Sequence, residues 1–389
     1  MKRGEMMTDS KWSLDQVGAQ HLLDQANTKV TAELARLGAK IPYAAKDGVY
    51  QEDRGQDVTW WTNGFFAGIL WELNQVHPNQ AFVERARQDS DHLMTRFRQF
   101  TTIDHDIGFV ALHTTVADYR ITGSDKAYQE ALLAATVLAG RYNPQGRFLR
   151  CWNQPGREGW VIIDSMMNLN LLFWASRELH DPRFAQIAVA HADTALAHHI
   201  RPDGSAYHIV GYDPQCGGVA NYPQGQGYSP ESSWTRGQGW ALYGFVLVYQ
   251  QTGFVRYLAM AKTIAAYFIQ QAKKFNWFIP ADFNAPDNGT HDLSAAMIAA
   301  SGLVTLSELT HDPQYRAAAE ELILHNQTRI DLDPERDGIV QDCTGSYTSD
   351  DQSGERNVPI IYADFFFIET LMKMAGDPFS IWAVPDVLN

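Results

Sequence analysis

The stretch WVIIDSMMNLNLLFW (residues 160–174) runs from three β-branched residues, through one carboxylate, into a segment that is apolar nearly all round. Asp164, between Ile163 and Ser165, stands at or beside a helix N-terminus, where unpaired backbone N–H groups favour negative charge. Met166, Met167, Leu169, Leu171, Leu172, Phe173 and Trp174 leave no polar face for a surface helix. The segment therefore reads as an inner, buried helix. It ends in RELHDPRF (177–184), and a more amphipathic helix follows.

That turn recurs. NQVHPNQAF (74–82), RITGSDKAY (120–128), YQQTGFVRY (249–257), ELTHDPQY (308–315) and MKMAGDPF (372–379) share its form: a helix end, Gly or Asp (often with Pro), then an aromatic residue. Gly ends a helix in the left-handed conformation, and Pro is tolerated where the next helix begins. Each turn follows a very apolar helix, predicted over 64–76, 107–121, 165–179, 235–251, 293–309 and 361–374. The first five precede amphipathic helices over 81–99, 125–141, 182–199, 255–272 and 312–328. A helix over 13–37 has no inner partner at its own end of the chain and closes the ring against 361–374. Repeats of this period specify the architecture. The expectation is an all-α (α/α)6 toroid, or barrel, of six helical hairpins forming one domain over residues 1–389.

In such a toroid the N-terminal ends of the inner helices meet at one mouth and lend it positive potential. The unusual motifs all stand there: WWTNGFF (60–66), DHDIGF (104–109), IIDSMMN (162–168), SSWTRGQGW (232–240), HDLS (291–294) and IIYADFF (360–366). Asp106, Asp164 and Arg236 each lie sixteen positions before the turn residues Thr122, His180 and Thr252. Asp164 is a helix cap or a catalytic acid; its apolar neighbours favour the acid, since burial raises a carboxyl pKa. Asp106 reads equally as a cap, as does Asp104, but two aspartates at matching positions of two inner helices form the pair that glycoside chemistry uses. Arg236 is either a buried structural arginine paired with a carboxylate or an anion ligand. At a helix N-terminus it opposes the dipole unless an anion binds, which favours the ligand. Trp234 is placed in the entry loop beside the pocket. The long connections 142–163, 200–233 and 329–360 rim the mouth, and Trp152, Trp160, His208 and Gln226 on them favour function over plain linkage.

Bulk properties narrow the class. The chain has 389 residues, 45% of them hydrophobic, enough for a large core. Three widely spaced cysteines (Cys151, Cys216, Cys343) give no disulfide framework and point to a reducing, cytoplasmic setting. MKRGEMMTDSKWS (1–13) lacks the apolar run of a secretion signal, and no segment reads as long enough to cross a bilayer. A net charge of −14 argues against nucleic acid and anionic membranes as partners. A monomer or weak dimer is expected. Eleven Trp and sixteen Tyr suit a carbohydrate site, but also a large core. The histidines show no metal-ligand spacing, His198 and His199 reading as a helix-end pair, and nucleotide and serine-hydrolase motifs are absent. No metal and no organic cofactor are expected. Asp350 and Asp351 read as solvated loop.

HDIGF, IIDSMMNLNLLFWA, SAYHIVGYDP and SSWTRGQGWALYGF, in this order between WTNGF (61–65) and YADFFFIETL (362–371), resemble the unsaturated glucuronyl hydrolase family over nearly the whole chain. The resemblance implies an (α/α)6 barrel and release of a 4,5-unsaturated uronic acid from the non-reducing end of oligosaccharides made by polysaccharide lyases, such as glycosaminoglycan disaccharides. It implies Asp164 as acid/base and Asp106 as the second essential carboxylate. Trp61, Trp152, His208, Gln226, Trp234, Arg236, Trp240 and Tyr347 would line the sugar site. Residues 344–358 (TGSYTSDDQSGERNV) depart from the family pattern, and Asn63 stands in a loop expected to meet the leaving sugar. The implied chemistry is hydration of the C4=C5 enol ether. Asp106 is expected to raise the Asp164 pKa through like-charge proximity. The alternative is a conventional inverting glycosidase using Asp106 and Asp164 on saturated glycosides.

Overall fold

A computed structural model describes residues 12–286, 289–348 and 354–385, so Asp350 and Asp351 lie outside the described residues. The inner helices form over Phe65–Val76, Ile107–Thr122, Ser165–Leu179, Thr235–Thr252, Leu293–Thr310 and Ile361–Ala375. Each packs on the next, and the last closes on the first. Outer helices lie at Gln80–Met94, Asp125–Ala139, Pro182–His198, Val255–Lys274 and Pro313–Leu324, and Gln16–Leu37 packs against Ile361–Ala375 as the sixth. This is the (α/α)6 ring the repeat predicts. The second inner helix carries one departure, a π turn over Leu112–Val116.

The turn chemistry explains the repeat. In HDP, His180 and His311 take the left-handed conformation (φ 51° and 55°) in place of glycine. Asp181 and Asp312 then cap the outer helices by accepting from the N–H groups of Arg183 (3.0 Å) and Gln314 (3.1 Å), with Pro at the first helical position. Leu293–Thr310 is long and apolar enough to cross a bilayer, which corrects the expectation that no segment is. Its apolar surface is spent inside the ring, where Leu293 to Leu306 are buried.

Two features were not legible as helices. The 142–163 and 200–233 connections hold a hairpin pairing Tyr142–Asn143 with Phe148–Leu149 and a three-stranded antiparallel sheet of Trp160–Ile162, Ile209–Tyr212 and Val219–Asn221. The sheet fixes the strand that delivers Asp164 and ties His208 beside it, through Ile163 N–H donating to the His208 carbonyl (3.0 Å). At the opposite end, the segment after Gly376 folds under the ring. Trp382 there is fully buried, stacks on Phe366 with ring centroids 6.1 Å apart and donates Nε1–H to Glu369 (2.6 Å).

Burial of acids makes stability pH-dependent. Glu33 is pushed up to about 8 by burial and by Asp364; burial raises Asp89 and Asp364 to about 6 each. Unfolded carboxyls ionise near roughly pH 4. The folded chain therefore holds extra protons above that value, and this stabilisation, complete below it, is lost as pH rises through the folded pKa values. The melting temperature is expected to fall between about pH 5 and pH 8. Glu33→Gln, which cannot ionise, should fall less. Equal falls in both proteins would remove Glu33 as a source.

Candidate active site

The N-terminal ends of the inner helices do converge. Trp61, just before the first, lies 5.7 Å from Phe109, 6.4 Å from Trp240 and 5.0 Å from Tyr362, ring to ring. Arg236 and Asp292, from the fourth and fifth, form a buried ion pair at 2.8 Å. Trp240 is fully buried beneath Trp61, packed on Phe109 and Phe366, so it forms floor rather than wall.

Asp106 and Asp164 occupy the N-cap positions of the second and third inner helices, yet neither side chain makes a capping hydrogen bond. The cap bond in this region is made by Asp104, which accepts from the Asp106 N–H (3.0 Å). One oxygen each of Asp106 and Asp164 and one His105 ring nitrogen lie within 4.8 Å of one another. Asp164 Oδ1 is buried without a hydrogen-bond partner. Burial, then Asp104, push the Asp164 carboxyl up to about 8, against the Arg236 charge that lowers it. Burial, Asp104 and Asp164 likewise raise Asp106. The like-charge pressure on Asp164 thus comes from Asp104 and not, as expected, from Asp106, which is itself raised by Asp164. Asp104 and Asp106 open into a cleft of about 540 Å³ with Trp60, Trp61, Thr102 and Trp152 on its walls.

A second wall adjoins. His208 is tilted against Trp234, ring centroids 4.3 Å apart, and Arg236 lies 4.6 Å over the Trp234 ring. Gln226 donates its backbone N–H to His208 Nδ1 (2.9 Å). That bond makes Nδ1 an acceptor and puts the proton of the neutral ring on Nε2, which is buried and unpartnered. Burial, then Arg236, hold the His208 pKa down to about 3, so the ring is a neutral donor. Gly225 is required for this approach, since a Cβ there would meet Nδ1 at 1.9 Å.

Four expectations change in detail. Arg236 is not a free anion clamp: its terminal nitrogens are spent on Asp292, the Thr344 carbonyl and the Gly345 carbonyl, because an unpaired buried cation is costly. Gln226 uses its side-chain amide on the Gly345 carbonyl (2.7 Å). Tyr347 is tied to Gln226 by its backbone, but its ring lines a different cleft, of about 210 Å³, with Phe278, Pro286 and His291. Asn63 is fully buried and donates to the carbonyls of Arg54 (3.2 Å) and Asp57 (2.8 Å), shaping the loop from beneath rather than meeting a sugar.

The sequence reading missed His105 and Asn168, although DHDIGF and IIDSMMN contain them. Asn168 Oδ1 accepts the Phe109 N–H (2.6 Å), so its amide faces His105 Nδ1 (3.1 Å) and Asp106 Oδ1 (3.4 Å). The His105 proton then sits on Nε2, where a metal would require a lone pair. The three-residue cluster is therefore poorly suited to an ion despite its spacing.

The geometry suits protonation chemistry on a sugar. Its similarity to known proteins agrees. The family model described as Glycosyl Hydrolase Family 88 matches residues 39–250. An unsaturated glucuronyl hydrolase of Formosa agariphila is 31% identical, over 80% of this chain and 79% of that one. An unsaturated chondroitin disaccharide hydrolase of Streptococcus pyogenes is 29% identical over 98% and 97%. The crystal structure of an unsaturated glucuronyl hydrolase from Bacillus sp. GL1, responsible for glycosaminoglycan degradation, superposes with a TM-score of 0.84 at 28% identity, covering 91% of this chain and 96% of that one.

Proposed function

The chain belongs to glycosyl hydrolase family 88, and from that premise we propose that it releases 4,5-unsaturated uronic acid from the non-reducing end of lyase-generated oligosaccharides, glycosaminoglycan disaccharides among them. The observation that carries this reading is Asp164: a carboxyl at the mouth that caps no helix, has Oδ1 buried without a partner, and is pushed up to about 8 by burial and Asp104, beside the Asp106 carboxyl.

The substrate ring contains an enol ether, C4=C5–O5. Asp164 gives its proton to C4, and positive charge develops over C5 and O5. Water adds at C5 and loses a proton to the Asp164 carboxylate, which restores the acid. The C5 hemiketal opens by breaking C5–O5. The hemiacetal left at C1 then collapses to an aldehyde and expels the aglycone, with one water consumed in all. Asp106 stabilises the cationic transition state. His208 Nε2–H offers a hydrogen bond to the substrate's oxygens, while Trp61 and Trp152 present ring faces in the cleft. Arg236 acts at a distance, holding the 344–345 backbone and adding positive potential beside Asp164.

The inverting alternative needs its two carboxyls roughly 6.5–9.5 Å apart to admit a water. One oxygen of Asp106 and one of Asp164 lie within 4.8 Å of each other, which favours the closer arrangement. A lyase-generated unsaturated disaccharide separates the two readings. Loss of the absorbance of its conjugated double bond supports hydration; cleavage of the saturated disaccharide instead supports the alternative. We further place the protein in the cytoplasm, supported by its three free cysteines, as a monomer or weak dimer, which sedimentation would test.

A further inference from the structure

Asp106 and Asp164 are the same functional group, 4.8 Å apart or less, yet the reaction needs one ionised and the other protonated. Nearby charges pull both ways: Asp104 raises both carboxyls, Arg236 lowers Asp164, and Arg96 lowers Asp106 while Asp164 raises it. The neighbouring cations do not bond to either carboxylate: Arg96 donates to the carbonyls of Leu93 and Val58, Arg141 to those of Arg150, Ile103 and Cys151, and Arg236 to Asp292, Thr344 and Gly345. Hydrogen-bond donors do differ between the two. Asp106 Oδ1 faces Asn168 Nδ2 at 3.4 Å, and Asp106 Oδ2 faces His105 Nε2 at 3.5 Å. Asp164 Oδ1 faces no donor, and its carboxyl is reached only by the backbone N–H groups of Asp164 and Ser165, not by a side-chain donor.

We propose that His105 and Asn168 are positioning residues that allot the proton shared by the two carboxyls to Asp164, by presenting side-chain N–H groups to Asp106 alone. Asn168 does this twice, directly through its amide and indirectly by setting the His105 tautomer. His105 is fully buried, and burial, with Arg141 and His191 nearby, keeps it neutral, so it presents a dipole and not a competing charge. At 3.5 Å the His105 contact is long for a formed hydrogen bond in the resting site, but catalytic bonds commonly tighten when substrate binds. The tight seating of Asn168 depends on Gly108, where a Cβ would lie 2.5 Å from Asn168 Oδ1. Donors to a carboxylate lower its pKa, so they favour charge on Asp106 and leave the proton where C4 must receive it.

This inference rests on the reading of Asp164 as the acid. It is tested by the pH profile of kcat/KM on an unsaturated disaccharide. In His105→Leu the acidic limb should move up by about one unit, because Asp106 loses a donor to its charged form, while kcat falls about tenfold and KM stays within about twofold. His105→Gln, which retains an N–H, should return the limb toward the wild-type position. Asn168→Asp is isosteric and serves if the leucine variant does not fold. A carboxylate there draws the imidazole proton to Nδ1, turns a lone pair toward Asp106, and should shift the same limb upward. Unshifted limbs with a uniform loss of kcat, or a rise in KM alone, would overturn the assignment. If the wild-type protein leaves the double bond intact, it is the proposed function that fails.

Discussion

Asp164→Asn is expected to lower kcat by at least about 10²–10⁴-fold, the usual worth of a positioned general acid–base group. The amide is isosteric and cannot give up a proton to carbon. The fold has little to lose, because the Asp164 side chain makes no cap bond and Oδ1 has no partner. Removing a buried acid whose pKa is raised should if anything relieve the site. The variant should therefore melt near the wild-type temperature and bind substrate with little change in KM. Single-turnover absorbance of the double bond gives the rate. A variant that consumes the double bond at close to the wild-type rate would remove Asp164 from the chemistry.

The second large effect is on stability. Arg236→Met should cost about 3–5 kcal/mol, the range found when one partner of a buried ion pair is removed. Asp292, fully buried, would keep an uncompensated charge, and the Thr344 and Gly345 carbonyls would lose their donors. Asp292→Asn in the same chain should recover part of the loss, since it neutralises the stranded carboxylate. Denaturant titration of the three variants decides the matter. If Arg236→Met unfolds at the wild-type denaturant concentration and only KM rises, the arginine is a substrate ligand and not a strut.

The ring was legible because its period is written twice, once in the apolar inner helices and once in the turns. HDP at 180–182 and at 311–313 encodes a left-handed stop, a cap and a first-turn proline in three residues. The convergence of Asp106 and Asp164 followed from that ring, since equal spacing from the turns places both at one end. The partners chosen by individual side chains were not legible. Nothing in WTRGQGW says that Arg236 will be consumed by Asp292, fifty-six positions away. His105 and Asn168 escaped notice for the same reason: their effect depends on which nitrogen faces which oxygen. The small sheet was missed because its strands are only three or four residues long and lie in connections.

The central claim is that a proton passes from Asp164 to C4 of an enol ether, and it is tested most directly in heavy water. The unsaturated disaccharide should be turned over in D2O and the released sugar followed by NMR from its first appearance. Protonation at carbon predicts a sugar that appears with its C4=C5 bond already gone and with deuterium on one face of C4. A released sugar that first appears with the double bond intact would mean attack at the anomeric carbon, and would contradict the account.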